Sequence, residues 1–86
     1  SWFFNFYIIS LYKKICNKEI LADRIKYLYI NSLGVGKTLA ILEILKELQL
    51  IEIKNGVCRQ IPTLQKTNLY NSTIFKKLTE RSGNNA

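Results

Sequence analysis

Apolar positions recur along this chain with two different periods. Between residues 2 and 16, Phe4, Ile8, Leu11 and Ile15 fall at helical spacing. Trp2, Phe3, Phe6 and Tyr7 widen that stripe, so this first helix is expected to pack on two sides, one of them against a neighbouring domain of a longer parent chain. Asn17 is the expected N-cap of a second helix, "KEILADRIKYLY", with Ile20, Leu21, Ile25, Leu28 and Tyr29 on one stripe and Lys18, Asp23 and Lys26 mostly off it. A third helix follows in "KTLAILEILKEL", where Leu39, Leu42, Leu45 and Leu48 recur every three residues and Ala40, Ile41 and Ile44 fill the gaps. It is the most apolar segment and is expected at the centre.

The period then changes to two. Asn55-Gly56 between alternating runs predicts a hairpin with a two-residue turn. Such a turn pairs Lys54 with Val57, Ile53 with Cys58, and Glu52 with Arg59. Ile51, Ile53 and Cys58 then share an inner face, and Glu52 and Arg59 can pair on the outer one. Pro62 ends the hairpin, "TLQKTN" is a polar connector, and "STIFKKLTE" forms a short last helix capped by Ser72 and docked by Ile74, Phe75 and Leu78. Three helices followed by a two-stranded wing and a short helix are a winged helix-turn-helix layout, mostly α with a small β-hairpin. The domain is expected over 1–81, with 82–86 as a flexible tail.

Between the second and third helices lies "NSLGVGKT", residues 31–38, which nearly spells a nucleotide-binding loop. That loop needs a glycine where this chain has Asn31, a preceding buried strand where "ADRIKYLYI" has helical periodicity, and a later magnesium-holding aspartate, whereas no Asp follows Thr38. The segment reads instead as a sharp turn made by Gly34 and plugged by Val35, with Gly36, Lys37 and Thr38 starting the third helix. The free N–H groups at that helix start, beside Lys37, are suited to one phosphate contact.

The 86 residues make one small domain with 48% hydrophobic residues, no Met, and a start that reads as cut from a longer protein. The net charge of +7 favours an anionic partner. With no His and no CxxC, zinc and haem sites are not expected; Cys16 and Cys58 are expected to be small buried hydrophobes of a reducing, cytoplasmic compartment. "WFFNFYIISLY" is about half the ~20 residues that a membrane span needs, and no signal peptide is visible. No catalytic constellation stands out: Glu19 and Asp23 at i, i+4 read as surface carboxylates on one helix face.

The positive charge suggests nucleic acid. A base-reading helix presents Arg, Asn, Gln, Ser or Thr along its first turns. The third helix offers Lys37 and Thr38, then Ala40, Ile41, Glu43, Ile44 and Glu47, which suit a major groove poorly. The candidate contacts are therefore backbone contacts without sequence preference: Lys37, Thr38, Lys54, Arg59, Lys66, Lys76, Lys77 and Arg81, with Lys13, Lys14 and Lys18 near the first helix–helix joint.

Residues 28–78 also resemble the C-terminal winged-helix module of RecJ-type single-stranded-DNA-specific exonucleases of low-GC bacteria. The residues that carry the resemblance are "LAILEILKELQLIEIKNGVCRQIP" (39–62) and the run Lys66-x-x-Leu69-x-x-Ser72-x-x-Phe75-x-x-Leu78, with Phe75 where the family usually has Tyr. The resemblance implies a non-catalytic accessory module of a DNA-repair exonuclease. Its partners would be single-stranded DNA or a single-strand-binding protein. It also implies that Mn²⁺ or Mg²⁺ belongs to a nuclease domain of the parent, whose metal-binding Asp and His motifs this chain lacks. Two other readings stand beside it: a free-standing winged-helix DNA-binding regulator, and a structural interaction domain that buries its aromatic first helix in a partner.

Overall fold

The computed structural model describes the backbone of residues 2–62 and 67–84 and the side chains of residues 5–62 and 67–80. Helix α1 spans Trp2–Asn17, strand β1 Ile20–Leu21, helix α2 Ala22–Leu33, helix α3 Val35–Glu47, strand β2 Ile51–Lys54 and strand β3 Val57–Gln60. A 3-10 turn over Leu69–Asn71 then leads into helix α4, Thr73–Asn84. The chain is mostly helical and carries one small antiparallel sheet, ordered β1-β3-β2.

The stripe on α1 is as its spacing predicts: Ile8, Leu11 and Ile15 are buried, while the side chain of Phe4 lies outside the described residues. These residues meet Ile25 and Tyr29 of α2, Ile41, Leu42, Ile44 and Leu45 of α3, Leu50, Ile51 and Cys58 of the hairpin, and Phe75 of α4 in one core. Helix α3 supplies the most of these and is central. Its inner face, however, is set by Thr38, Ile41, Leu42, Ile44 and Leu45. Leu39 is exposed and Leu48 only half-buried. A strict three-residue repeat drifts around a helix of 3.6 residues per turn, so its two ends rotate off the core.

The start of the second helix differs from expectation. Asn17 closes α1 and caps nothing, and α2 begins at Ala22 without a side-chain cap at Leu21. The intervening residues are drawn into the sheet, where Ile20 pairs with Cys58 and Leu21 with Val57, and the Ala22 amide donates to the Gly56 carbonyl at 2.8 Å. Two residues are too short a run for periodicity to betray a strand. The sheet thus has three strands rather than the two of the expected hairpin, Leu21 and Leu28 are exposed, and Glu19 lies off the helix, sharing no helical face with Asp23.

The hairpin has the predicted register: Lys54 opposite Val57, Ile53 opposite Cys58, Glu52 opposite Arg59. Asn55 at φ 54° and Gly56 at φ 77° form its turn, a left-handed pair that Asn-Gly tolerates best. Cys58 is fully buried on the inner face, and burial pushes its thiol pKa up. Cys16 is exposed, contrary to expectation, because it lies on the outer side of the last turn of α1.

Two further features lock the helices. Helix α3 ends in a Schellman arrangement: the amide of Leu50 donates to Leu45 and that of Gln49 to Lys46, with Gln49 at φ 60° in the position glycine usually takes. Helix α4 begins at the expected cap, where Ser72 Oγ accepts from the Phe75 amide at 3.1 Å. Phe75 is fully buried and edge-on to Tyr70, with ring centroids 5.2 Å apart, and Ile74 and Leu78 pack against the core. The three-residue spacing of Leu69, Ser72, Phe75 and Leu78 thus follows a 3-10 turn running into a helix, all on its inward side. Helix α4 continues to Asn84, into the segment expected to be a tail, because each added residue closes another backbone hydrogen bond.

Candidate nucleic-acid interface

Residues 31–38 form a helix–helix joint. Helix α2 runs to Leu33, α3 starts at Val35, and Gly34 between them has φ 83° and ψ 163°, a conformation that is essentially reserved for glycine. Its amide donates back to Ile30 and its carbonyl accepts from both the Thr38 amide, at 3.2 Å, and the Thr38 hydroxyl, at 2.8 Å. Val35 does not plug this turn: its side chain is exposed, and buried Thr38 occupies the inner side instead. Thr38 thereby leaves the contact surface, since its hydroxyl is already bonded and its side chain is 1% exposed. The exposed residues of the first two turns of α3 are Val35, Gly36, Lys37 and Leu39, with Ala40 half-buried and Glu43 exposed in the next turn; Ile41 and Ile44 face the core.

The remaining basic candidates occupy separate elements. Lys37 is exposed in the first turn of α3, Lys54 ends β2, and Lys76 and Lys77 are adjacent and exposed on α4. The sheet register puts Lys54 and Arg59 on the same outer face, but Arg59 is bound to Glu19 at 3.0 Å, the residue that β1 brings beside it, rather than to Glu52. Arg59 therefore already has a carboxylate partner, in an ion pair that is itself exposed. Lys66 and the side chain of Arg81 lie outside the described residues.

Carboxylates are unevenly distributed among these cations. Asp23 pairs with Lys26 and Glu43 with Lys46, each at i, i+3 on a helix surface. Glu47 is engaged differently: it reaches from α3 to the start of α4, where Oε1 accepts from Ser72 Oγ at 2.5 Å and the Ile74 amide at 3.3 Å, and Oε2 accepts from Thr73 Oγ1 at 2.5 Å. These hydroxyl donors, the Ser72 one foremost, hold its pKa down at about 2. So four of the six acidic residues are committed to internal partners. Among the described residues, Lys13, Lys18, Lys37, Lys54, Lys76 and Lys77 have no carboxylate at salt-bridge distance.

A second feature was not singled out by composition or motif. The outer side of α1 carries an open groove of about 430 Å³ lined by Phe6, Ile9, Ser10, Lys13, Lys14 and Asn17. Its signal was present in the sequence as the second apolar side of α1, where Phe6, Ile9 and Lys13 recur at i, i+3 and i+7. Lys14 stands with its ammonium 5.4 Å from the centre of the Tyr29 ring, a cation–π distance.

Among the described residues no group of His, Cys, Asp and Glu is placed to hold a metal ion, and no helix is long and apolar enough to cross a membrane. Compared with family models, curated proteins and solved structures, the chain matches none of them.

Proposed function

We propose that this chain is a winged-helix module that binds single-stranded nucleic acid along its phosphate backbone, without reading sequence. The observation that carries the reading is the surplus of exposed lysines whose would-be carboxylate partners are bonded elsewhere. Unneutralised cations on several elements attract a polyanion and release its counterions, which is the main source of sequence-independent affinity. The buried face of α3 supports backbone tracking over base reading. It uses Thr38 and Ile41 for packing and leaves Lys37, Leu39 and Glu43 outward, with no Arg, Asn or Gln in the first two turns. The resemblance of residues 28–78 to the accessory module of RecJ-type exonucleases favours the same reading and proposes a DNA-repair nuclease as the parent.

The test is a titration of a labelled dT oligomer at low and moderate salt beside a mixed-sequence duplex. Weak, strongly salt-dependent binding of the dT oligomer is expected. Reversing charge at Lys76 and Lys77 should weaken binding to all sequences alike and lower the salt slope by about 0.7 for each phosphate that is no longer neutralised. Tight duplex binding with a sequence preference would establish the regulator reading instead. Absence of binding even at low salt would leave protein docking, for instance to the acidic tail of a single-strand-binding protein.

A further inference from the structure

The groove on α1 combines features that backbone tracking does not use. We infer that it seats a base of a single-stranded nucleic acid against Phe6, with Lys13 and Lys14 holding phosphates further along the same strand; this inference rests on the backbone-binding reading above. Phe6 is 62% exposed, so its ring offers an apolar surface to solvent rather than to the core. Exposed aromatics beside a cationic track are the two components of single-strand binding, because every base has a face to stack and every nucleotide a phosphate to neutralise.

The two ends of the groove are held relative to each other. Phe6 meets Tyr7 edge-to-face at 5.9 Å, Tyr7 meets Tyr29 edge-to-face at 5.9 Å, and the Lys14 ammonium sits over Tyr29. Tyr29 is buried, so this relay ties the groove to the core and reduces the ordering that a ligand would otherwise impose. Phe6 and Lys13 are seven residues apart, about 10.5 Å along a helix axis. That is the rise of about three stacked nucleotides at 3.4 Å each. Ser10 lies between them and Asn17 beyond, both able to hydrogen-bond a sugar or base edge. An acidic peptide would also satisfy the lysines, but an open groove does not enclose an apolar anchor as a peptide pocket does, whereas a flat base needs one face only.

The experiment measures anisotropy of a labelled dT oligomer and of an abasic oligomer of the same length, at one low salt concentration. The wild-type chain should bind dT more tightly than the abasic strand. Phe6→Ala should weaken dT binding by about 5- to 150-fold, the equivalent of one stacked base, and leave the abasic strand unaffected. Phe6→Tyr should retain dT binding, and Lys13→Gln with Lys14→Gln should weaken both strands. Equal wild-type affinity for dT and the abasic strand overturns the stacking site and leaves backbone tracking intact; this comparison stands whatever Phe6→Ala does to folding. Failure to bind either strand overturns both readings. Binding of an acidic peptide at Phe6 with no binding of either strand overturns the nucleic-acid assignment in favour of a protein.

Discussion

The two glycines of "GVG" are predicted to respond in opposite directions to the same substitution. Neither Gly34 nor Gly36 has a heavy atom within 4 Å of where an added Cβ would stand, so a methyl group meets no clash at either site. Only backbone conformation separates them. Gly34 sits at φ 83° and ψ 163°, where an L side chain is strained by about 1–3 kcal/mol. Gly36 lies inside α3, where glycine loses more chain entropy on folding than alanine does. Gly36→Ala should therefore stabilise by about 0.4–1 kcal/mol. The two variants should differ by roughly 1.5–4 kcal/mol, and at about 4–8 °C per kcal/mol for a domain of this size the separation in Tm is at least about 6 °C. Thermal melts followed by circular dichroism, with urea unfolding as a second measure, check this. If Gly34→Ala is neutral, or if both substitutions destabilise alike, the joint is not the tight turn described here. A phosphate-cradling loop would need its backbone open at both glycines, and both changes would then act through ligand binding instead.

Other consequences follow from single contacts. Glu47 has its pKa lowered from 4.5 to about 2, so the stability it contributes is fully present above about pH 4.5 and is lost as the pH falls toward 2. Glu47→Ala should be less stable than wild type at neutral pH, and the gap between the two should close between pH 4.5 and 2 in urea titrations; a gap independent of pH would refute the carboxylate clasp. Gln49 holds φ 60° at the end of α3, so Gln49→Gly should stabilise by up to about 1 kcal/mol, and a lower melting temperature would argue against the Schellman geometry. The charge reversal at Lys76 and Lys77 should leave the melting temperature almost unchanged while weakening nucleic-acid binding, since both side chains are exposed.

Local chemistry was enough to read the hairpin and the last helix. Asn55-Gly56 prescribes its own turn, and the turn prescribes every pair from Glu52–Arg59 to Lys54–Val57. Ser72 with Phe75 three residues on is likewise a local instruction, as is the Ile8, Leu11, Ile15 stripe. What periodicity could not decide was which competing partner a short segment takes. Residues 18–21 look helical by pattern, yet Ile20 and Leu21 pair with the open edge of β3 and the start of α2 moves to Ala22. That one choice also brings Glu19 to Arg59, one of the expected phosphate contacts, as an ion-pair partner. Thr38 was a surface candidate by residue type, but the Gly34 turn rotates it into the core, where its hydroxyl bonds the turn's own carbonyl. Glu47, read on the outer face of α3, became the cap of a helix 26 residues further along, because α4 docks against that end of α3. Charge and residue type thus set the kind of ligand this chain is expected to attract; tertiary packing decides which cations have no direct carboxylate partner, since a carboxylate whose oxygens are taken by hydroxyls or a guanidinium does not also bind a lysine ammonium.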